Sequence, residues 1–310
     1  MMYELAISLL LISFIISFWA VFYLIKFLKR KKVIDIPVDR SNHVSPTPRG
    51  GGLAIVFCVF LLWPLVNYYY IPNFTNTLVF CTCLMLLALI SFLDDIKSIV
   101  FYIRLLIHIS VATFTVYYFF PPIHLVVPKF VPVAIERAGI IFAYVYFINL
   151  YNFMDGIDGI SSINTLTVLT GISILSYLHN ENLNNIYLAA IVVGSTLAFL
   201  KFNWPPSKIF LGDVGSISLG YIVGFIALDL GYKGYFWPIF IMCLYYLTDA
   251  TITLLKRIFN GEKFWEAHSK HFFQIMVKKG YSHKFISKMI GILNIVLIAI
   301  ALCVDRVFYS

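Results

Sequence analysis

Apolar residues run along this chain in long, nearly unbroken blocks. Polar residues collect between the blocks instead of alternating within them. Ten blocks are legible, at about 5–28, 52–70, 77–92, 103–119, 139–153, 160–177, 186–202, 216–230, 236–255 and 285–304. Each is close to the roughly 20 residues that a helix needs to cross a bilayer. Strands of a membrane barrel would alternate with period two, so the blocks read as helices. The first block has no basic segment before it and is too long for a cleaved signal peptide, so it counts as a span. The expectation is an all-α polytopic membrane protein of about ten transmembrane helices, folded as a single integral membrane domain over 1–310.

Composition agrees. Of 310 residues, 61% are hydrophobic and 12% charged, about half the charge of a soluble domain. Charge also sets the orientation. All but four of the 23 basic residues fall on one side of a ten-helix arrangement; the exceptions are Lys129, Arg137, Lys233 and Arg306. Basic residues concentrate in cytoplasmic segments. Both termini are therefore expected outside, in the periplasm, and the basic connections in the cytoplasm. The five cysteines all fall inside apolar blocks with no C-x-x-C pair, which implies neither a disulfide framework nor a zinc site. The partner expected from composition is the lipid bilayer, with no nucleic acid.

One polar stretch interrupts the pattern most strongly: Asn149-Leu-Tyr-Asn152-Phe-Met-Asp155-Gly-Ile-Asp158-Gly159. Burying polar groups without partners costs several kcal/mol each, roughly, so membrane chains keep them mainly where they act. Asn149, Asn152 and Asp155 are three residues apart and share a helix face. Gly156 and Gly159 then end the helix.

Other candidates fall at the same membrane face. The connection at 29–51 opens with four basic residues suited to anionic head groups. It continues through Arg40, His43, Pro46 and Pro48 to Arg49-Gly50-Gly51-Gly52. That glycine-rich helix start suits either phosphate or close helix packing. Asp94-Asp95, with Lys97, stands at a helix C-terminal end, where carboxylates oppose the dipole and imply a cation. Leu211-Gly212-Asp213-Val-Gly215-Ser216 follows Lys201 and Lys208; Asp213 or Ser216 could cap the next helix. The connection at 256–284 carries Arg257, His268 and His271, the histidines one turn apart. Asp249 lies inside the ninth block, where a carboxylate is expensive and should face the bundle interior. The outer loops form no such constellation.

Asp94, Asp95, Asp155, Asp158 and Asp213, with Asn149 and Asn152, offer hard oxygen donors with no thiolate at that face. This suits Mg²⁺, or Mn²⁺, held by one or two carboxylates with water and substrate phosphate. Lys97, Lys201, Lys208, Lys256, Arg257, His268 and His271 could neutralise phosphate oxygens. From the residues alone, the reading is a metal-dependent enzyme acting on a phosphorylated lipid at the cytoplasmic face.

Five motifs, in order, resemble the polyprenyl-phosphate N-acetylhexosamine-1-phosphate transferases (glycosyltransferase family 4). They are Pro46-Thr-Pro48-Arg49-Gly50-Gly51, Asp94-Asp95, Asn149 through Gly159, Leu211 through Ser216, and Ala267-His268-Ser-Lys-His271-Phe-Phe-Gln274. The last is most similar to the O-antigen-initiating branch, which favours H-x-S-H-x-Y-Q; here Lys270 separates Ser269 from His271 and Phe273 replaces the tyrosine. The resemblance implies transfer of a sugar-1-phosphate from a UDP-N-acetylamino sugar to undecaprenyl phosphate, with Mg²⁺, releasing UMP in the bacterial inner membrane. It implies Asp213 and Asp155 as metal ligands, and Asp94, Asp95 and Asp213 as catalytic. Asn149, Asn152, Asp155, Asp158, Arg257, His268, His271, Arg49 and Lys97 would bind substrates. A homodimer is compatible with this.

Rivals fit less well. A prenyltransferase would carry N-D-x-x-D-x-x-x-D, and a CDP-alcohol phosphotransferase D-G-x-x-A-R; Asn152 through Gly159 matches neither. A lipid carrier or flippase without chemistry would place charge at midplane or on both faces.

Overall fold

The apolar blocks become helices because, in hydrocarbon, a helix satisfies every backbone N–H and C=O within one segment. A computed structural model describes residues 2–37, 45–70, 74–181, 183–262 and 268–309. Arg40, His43 and Ala267 lie outside the described residues. The helices are α1 Met2–Lys31, α2 Gly52–Tyr70, α3 Phe74–Ile96, α4 Phe101–Phe119, α5 Val133–Met154 and α6 Ile160–Leu178. They continue with α7 Leu183–Asn203, α8 Asp213–Leu230, α9 Phe236–Met242, α10 Leu244–Phe259, α11 Phe272–Lys278 and α12 His283–Tyr309. Among the described residues, nine helices are long and apolar enough to span a membrane. One of them, Asp213–Met242, contains a reversal: a π-helical turn at Gly231–Tyr235, with Gly234 at φ 105°. Asp213 at the start of α8 and Leu254 in α10 line the same cavity, so α9 and α10 return the chain as a tenth leg, broken at Cys243. The protein is a multi-pass, all-α membrane protein.

The two ends of the bundle differ. Tyr3 packs on Tyr177 at 4.8 Å, and His179 lies 2.8 Å from Asp305, so both chain ends share the end remote from Asp213. The four basic residues set apart by the sequence pattern also belong to this end. It is less bare than its sequence suggests. Lys233 pairs with Asp229 (2.8 Å) and Glu181 (3.5 Å), and Asn185 donates to Asp229 at 2.6 Å. Glu136 of α5 accepts three backbone N–H groups, from Leu125, Val126 and Val127. These bonds staple loops to helix ends.

At the opposite end, α8 enters the middle of the bundle, buried along nearly its whole length. Gly52 and Gly215 let α2 and α8 touch backbone to backbone; a Cβ on Gly52 would sit 2.1 Å from the Gly215 Cα. The N–H groups of Gly50 and Gly51 donate to Phe210 O, and that of Gly52 to Leu211 O. The glycine run therefore serves close packing, and its N–H groups are engaged by protein and not left for phosphate. A small antiparallel pair, β1 Ile34–Asp35 with β2 Thr47–Pro48, was not legible in the sequence and sets the path into Arg49.

Candidate active site

The acidic pair lies on the last turn of α3 and not beyond it. The cation implied at that helix end is supplied by guanidinium groups. Arg104, on the first turn of α4, bonds Asp94 Oδ2 through Nη1, and the same nitrogen lies 3.0 Å from Asp213 Oδ2. Asp94 Oδ1 also accepts the Ile99 N–H at 2.6 Å. Arg49 reaches the cluster from the other side: its Nε is 2.7 Å from Asp95 Oδ1 and its Nη2 bonds Asp213 Oδ1. Burial opposes the charge on Arg49, but Asp213, Asp95 and Asp35 outweigh it and raise its pKa.

Asp95 does something the sequence did not show. Its two oxygens accept the N–H groups of Asp213 (2.9 Å) and Val214 (3.1 Å). It thus caps α8 from another helix, where a carboxylate complements the positive end of the dipole. Neither Asp213 nor Ser216 is the N-cap; Gly212 occupies that position at φ 76°. Asn152 donates to Ser216 Oγ at 3.1 Å.

A cavity of about 470 Å³ opens beside Asp213. Its polar lining includes Arg104, His108, Asn149, Asn152, Asp213, His268 and His271. From α5 come Phe142, Val145, Tyr146, Asn149, Asn152 and Phe153, the i, i+3, i+4 set of one helix face. The same face is polar near Asp213 and apolar farther along, and Phe142 at its far end is 74% exposed. Phe101, Leu105, Ile217, Ala250 and Leu254 extend the apolar wall.

Two residues of the His segment, His268 and His271, line the cavity. His268 and His271 have ring centroids 4.9 Å apart. His271 starts α11, its backbone N–H held by Gln274 Oε1 at 3.1 Å. Burial, followed by His271, Arg257 and Lys270, pushes the His268 pKa down to about 4, so this ring is neutral at pH 7.

Other expected residues lie outside the cavity lining, as Asp94 and Asp95 also do. Asp155 follows the end of α5 and is not part of the cavity lining. Burial pushes its pKa up to about 7, against a hydrogen bond from Ser161 and the field of Arg49, and with the fields of Asp213 and Asp95. Asp158 accepts from Ser207 N (3.2 Å) and Ser207 Oγ (3.0 Å) and pairs with His283 at 3.5 Å. Burial opposes that charge, but His283 and Ser207 outweigh it and hold the Asp158 pKa low. Arg257 is buried in a second pocket of about 270 Å³, with Nε 3.1 Å from Glu262. Lys97 is exposed at the end of α3. Sequence reasoning missed Arg104 and His108 as site residues. Their one-turn spacing on a membrane helix was the available signal.

Mg²⁺ can be tested against this donor set. Asp94 Oδ2 and Asp213 Oδ2 converge on one Arg104 nitrogen, a point that already holds positive charge. Among the described residues no group of three His, Cys, Asp or Glu forms a closed metal cage. Mg²⁺ takes one or two carboxylates and fills the remaining positions with water and phosphate, so the pair fits.

The model of glycosyl transferase family 4 matches residues 77–231, half of the chain, from α3 to the end of α8. The chain belongs to this family. It is 26% identical over 293 residues to the probable undecaprenyl-phosphate N-acetylglucosaminyl 1-phosphate transferase of Bacillus subtilis (strain 168), covering 89% of this chain and 79% of that one. It is 26% identical over 260 residues to the phospho-N-acetylmuramoyl-pentapeptide-transferase of Orientia tsutsugamushi (strain Ikeda), covering 70% of each. Against the enzyme of that name in Streptococcus mutans the figures are 27% over 281 residues, 79% and 78%. The resemblance read from the motifs thus holds at the level of the family.

Proposed function

We propose that this glycosyl transferase family 4 member transfers N-acetylhexosamine-1-phosphate from a UDP-linked sugar to undecaprenyl phosphate, giving a lipid diphospho-sugar and UMP. The observation that carries the reading is the cavity itself. One end is charged, at Arg104 and Asp213, and one wall is apolar, running along α5 to the exposed Phe142. A soluble nucleotide and a lipid phosphate can meet only in a site with both characters.

In the proposed reaction an oxygen of the lipid phosphate attacks the β-phosphorus. The bond from that phosphorus to the oxygen bridging it to the α-phosphate breaks, and UMP leaves. A phosphate monoester has a second pKa of about 6, so the attacking group is largely ionised at neutral pH and direct displacement needs no strong base. Asp94 and Asp213 would hold Mg²⁺, which supplies neutralisation of diphosphate charge when bound. Arg104 and Arg49 position those carboxylates and offer donors to phosphate oxygens. His268 presents a neutral donor, and Asn149 and Asn152 line the approach. The reading places the enzyme in a bacterial inner membrane, with the basic, site-bearing end in the cytoplasm and both termini outside. The His268–Gln274 segment supports an O-antigen-like pathway.

The test is UMP release by purified protein given undecaprenyl phosphate and a panel of UDP-N-acetylamino sugars, with Mg²⁺, Mn²⁺ or EDTA. Release that requires lipid, metal and one sugar is expected. Lipid binding without release would indicate a carrier; release indifferent to lipid would indicate a hydrolase.

A further inference from the structure

His108 sits on α4 one turn beyond Arg104, roughly 6 Å farther from the charged end at about 1.5 Å per residue. It is 3% exposed and lines the large cavity, and the reaction outlined above gives it no role. Asn149 donates its Nδ2 to Val145 O at 2.8 Å, so its Oδ1 is the atom 3.2 Å from His108 Nδ1. An amide oxygen only accepts, and that contact therefore places a proton on Nδ1. The other ring nitrogen, Nε2, is buried without a hydrogen-bond partner among the described residues. So is Arg104 Nε, on the same cavity wall. Buried nitrogens left unpaired are costly, so both call for a ligand.

Two observations choose that ligand. Beside His108 the α5 wall passes from Asn149 to Val145 and on to the exposed Phe142. A ligand gripped at this depth must continue as hydrocarbon, which the acceptor lipid does and a nucleotide sugar does not. Arg104 Nε brings a positive charge, which selects phosphate as the polar group. A phosphate monoester has a second pKa of about 6, so monoanion and dianion coexist near neutrality.

We propose that Arg104 Nε and His108 Nε2 hold the phosphate of the acceptor lipid, and that Nε2 takes the proton of the monoanionic form during transfer. This rests on the transferase reading and adds a catalytic residue to it. In the monoanion the P–O–H donates to Nε2. An oxygen of that phosphate forms its bond to the β-phosphorus, and the bond from the β-phosphorus to the bridging oxygen breaks. UMP leaves with that electron pair; the proton passes to Nε2 and then to water. The dianion carries no such proton and reacts without the transfer. His108 thus extends turnover to the acid side of neutrality.

The experiment measures kcat/KM for undecaprenyl phosphate in wild type and in His108→Gln, which keeps a polar side chain but cannot take a proton. At about pH 5.5 the variant should lose on the order of 100-fold, and at about pH 8.5 no more than about threefold. The KM for the UDP-sugar should stay within about twofold. Arg104 with its partner Asp94, Tyr146, Asp213, His268 and His271 bring the other titratable groups to this cavity, and the ratio of variant to wild type removes their titrations. A second reading needs no turnover. It is ¹⁵N–³¹P dipolar recoupling between histidine-labelled protein and bound undecaprenyl phosphate, with EDTA and no UDP-sugar, and it should show a contact that His108→Gln removes. His108→Asn repeats both measurements if His108→Gln is unstable. An equal loss at both pH values, a loss confined to the UDP-sugar, or no loss overturns the proposal. So does a ¹⁵N–³¹P spectrum indifferent to the substitution. Absence of wild-type turnover with every UDP-sugar would instead remove the transferase reading, and the spectrum would still decide the phosphate contact.

Discussion

Arg104 and Asp213 meet at 3.0 Å between Nη1 and Oδ2, and that nitrogen also holds Asp94. One guanidinium thus joins α3, α4 and α8 at the point where the two carboxylates would take a metal. Arg104→Lys keeps the charge but loses the planar fork that bridges two carboxylates. It is expected to lower kcat by roughly 10- to 100-fold. Asp213→Asn removes a charge that would hold the proposed Mg²⁺ and should cost about 10³-fold or more, with the protein still folded by circular dichroism. Near wild-type UMP release from Asp213→Asn across a Mg²⁺ titration would refute the metal assignment.

The resemblance implies a substrate contact for Asp158, and in the structure its carboxylate is held by Ser207 and His283. Asp158→Asn should therefore act on stability: a loss of about 1–3 kcal/mol, with kcat and both KM values of the folded fraction unchanged within roughly twofold. The sign with pH follows from the lowered pKa. The stabilisation is present above the unfolded carboxylate value and is lost as pH falls through the lower, folded one. Melting curves at pH 7 should separate variant from wild type, and curves below about pH 3 should not.

The helices were legible because a bilayer demands continuous apolar runs, and Lys and Arg marked one face. What stayed hidden depended on contacts between distant segments. Nothing local to Asp95 says that it caps α8, since its partners lie more than a hundred residues away. Arg104 read as one more basic residue at a helix start until the fold set it between Asp94 and Asp213. The glycines at 50–52 were ambiguous because close packing and phosphate binding both need bare backbone, and only the position of Gly215 decides. The ninth apolar block concealed its break at Cys243, which neither proline nor glycine announces.

Phe142 tests the apolar wall. It lines the cavity yet is 74% exposed, on the α5 face that becomes Asn149 and Asn152 two turns on. Phe142→Ser removes a large apolar contact surface without touching the charged end. The KM for undecaprenyl phosphate is expected to rise about 5- to 20-fold, while the KM for the UDP-sugar stays the same. A rise confined to the nucleotide would place the lipid elsewhere.

Asp155 gives the sharpest pH test. Its pKa rises from 3.8 to about 7, chiefly because burial penalises the charged form. A raised carboxyl pKa means that the folded state binds the proton more tightly than the unfolded state. Stability contributed by the protonated form is complete below the unfolded value and is lost as pH rises through the folded one. The wild type should thus lose apparent melting temperature between about pH 4 and pH 7 and level off above. Asp155→Asn imitates the protonated group, so it should melt several degrees higher than wild type at pH 8 and at the same temperature at pH 4. The ligand-bound protein then separates two roles. If Asp155 faces bound Mg²⁺ and nucleotide, adding both at pH 8 should raise the wild-type melting temperature more than that of Asp155→Asn, because ligand charge stabilises the ionised carboxylate. Equal ligand shifts in the two proteins would make Asp155 a buried acid of the scaffold and leave the metal to Asp94 and Asp213.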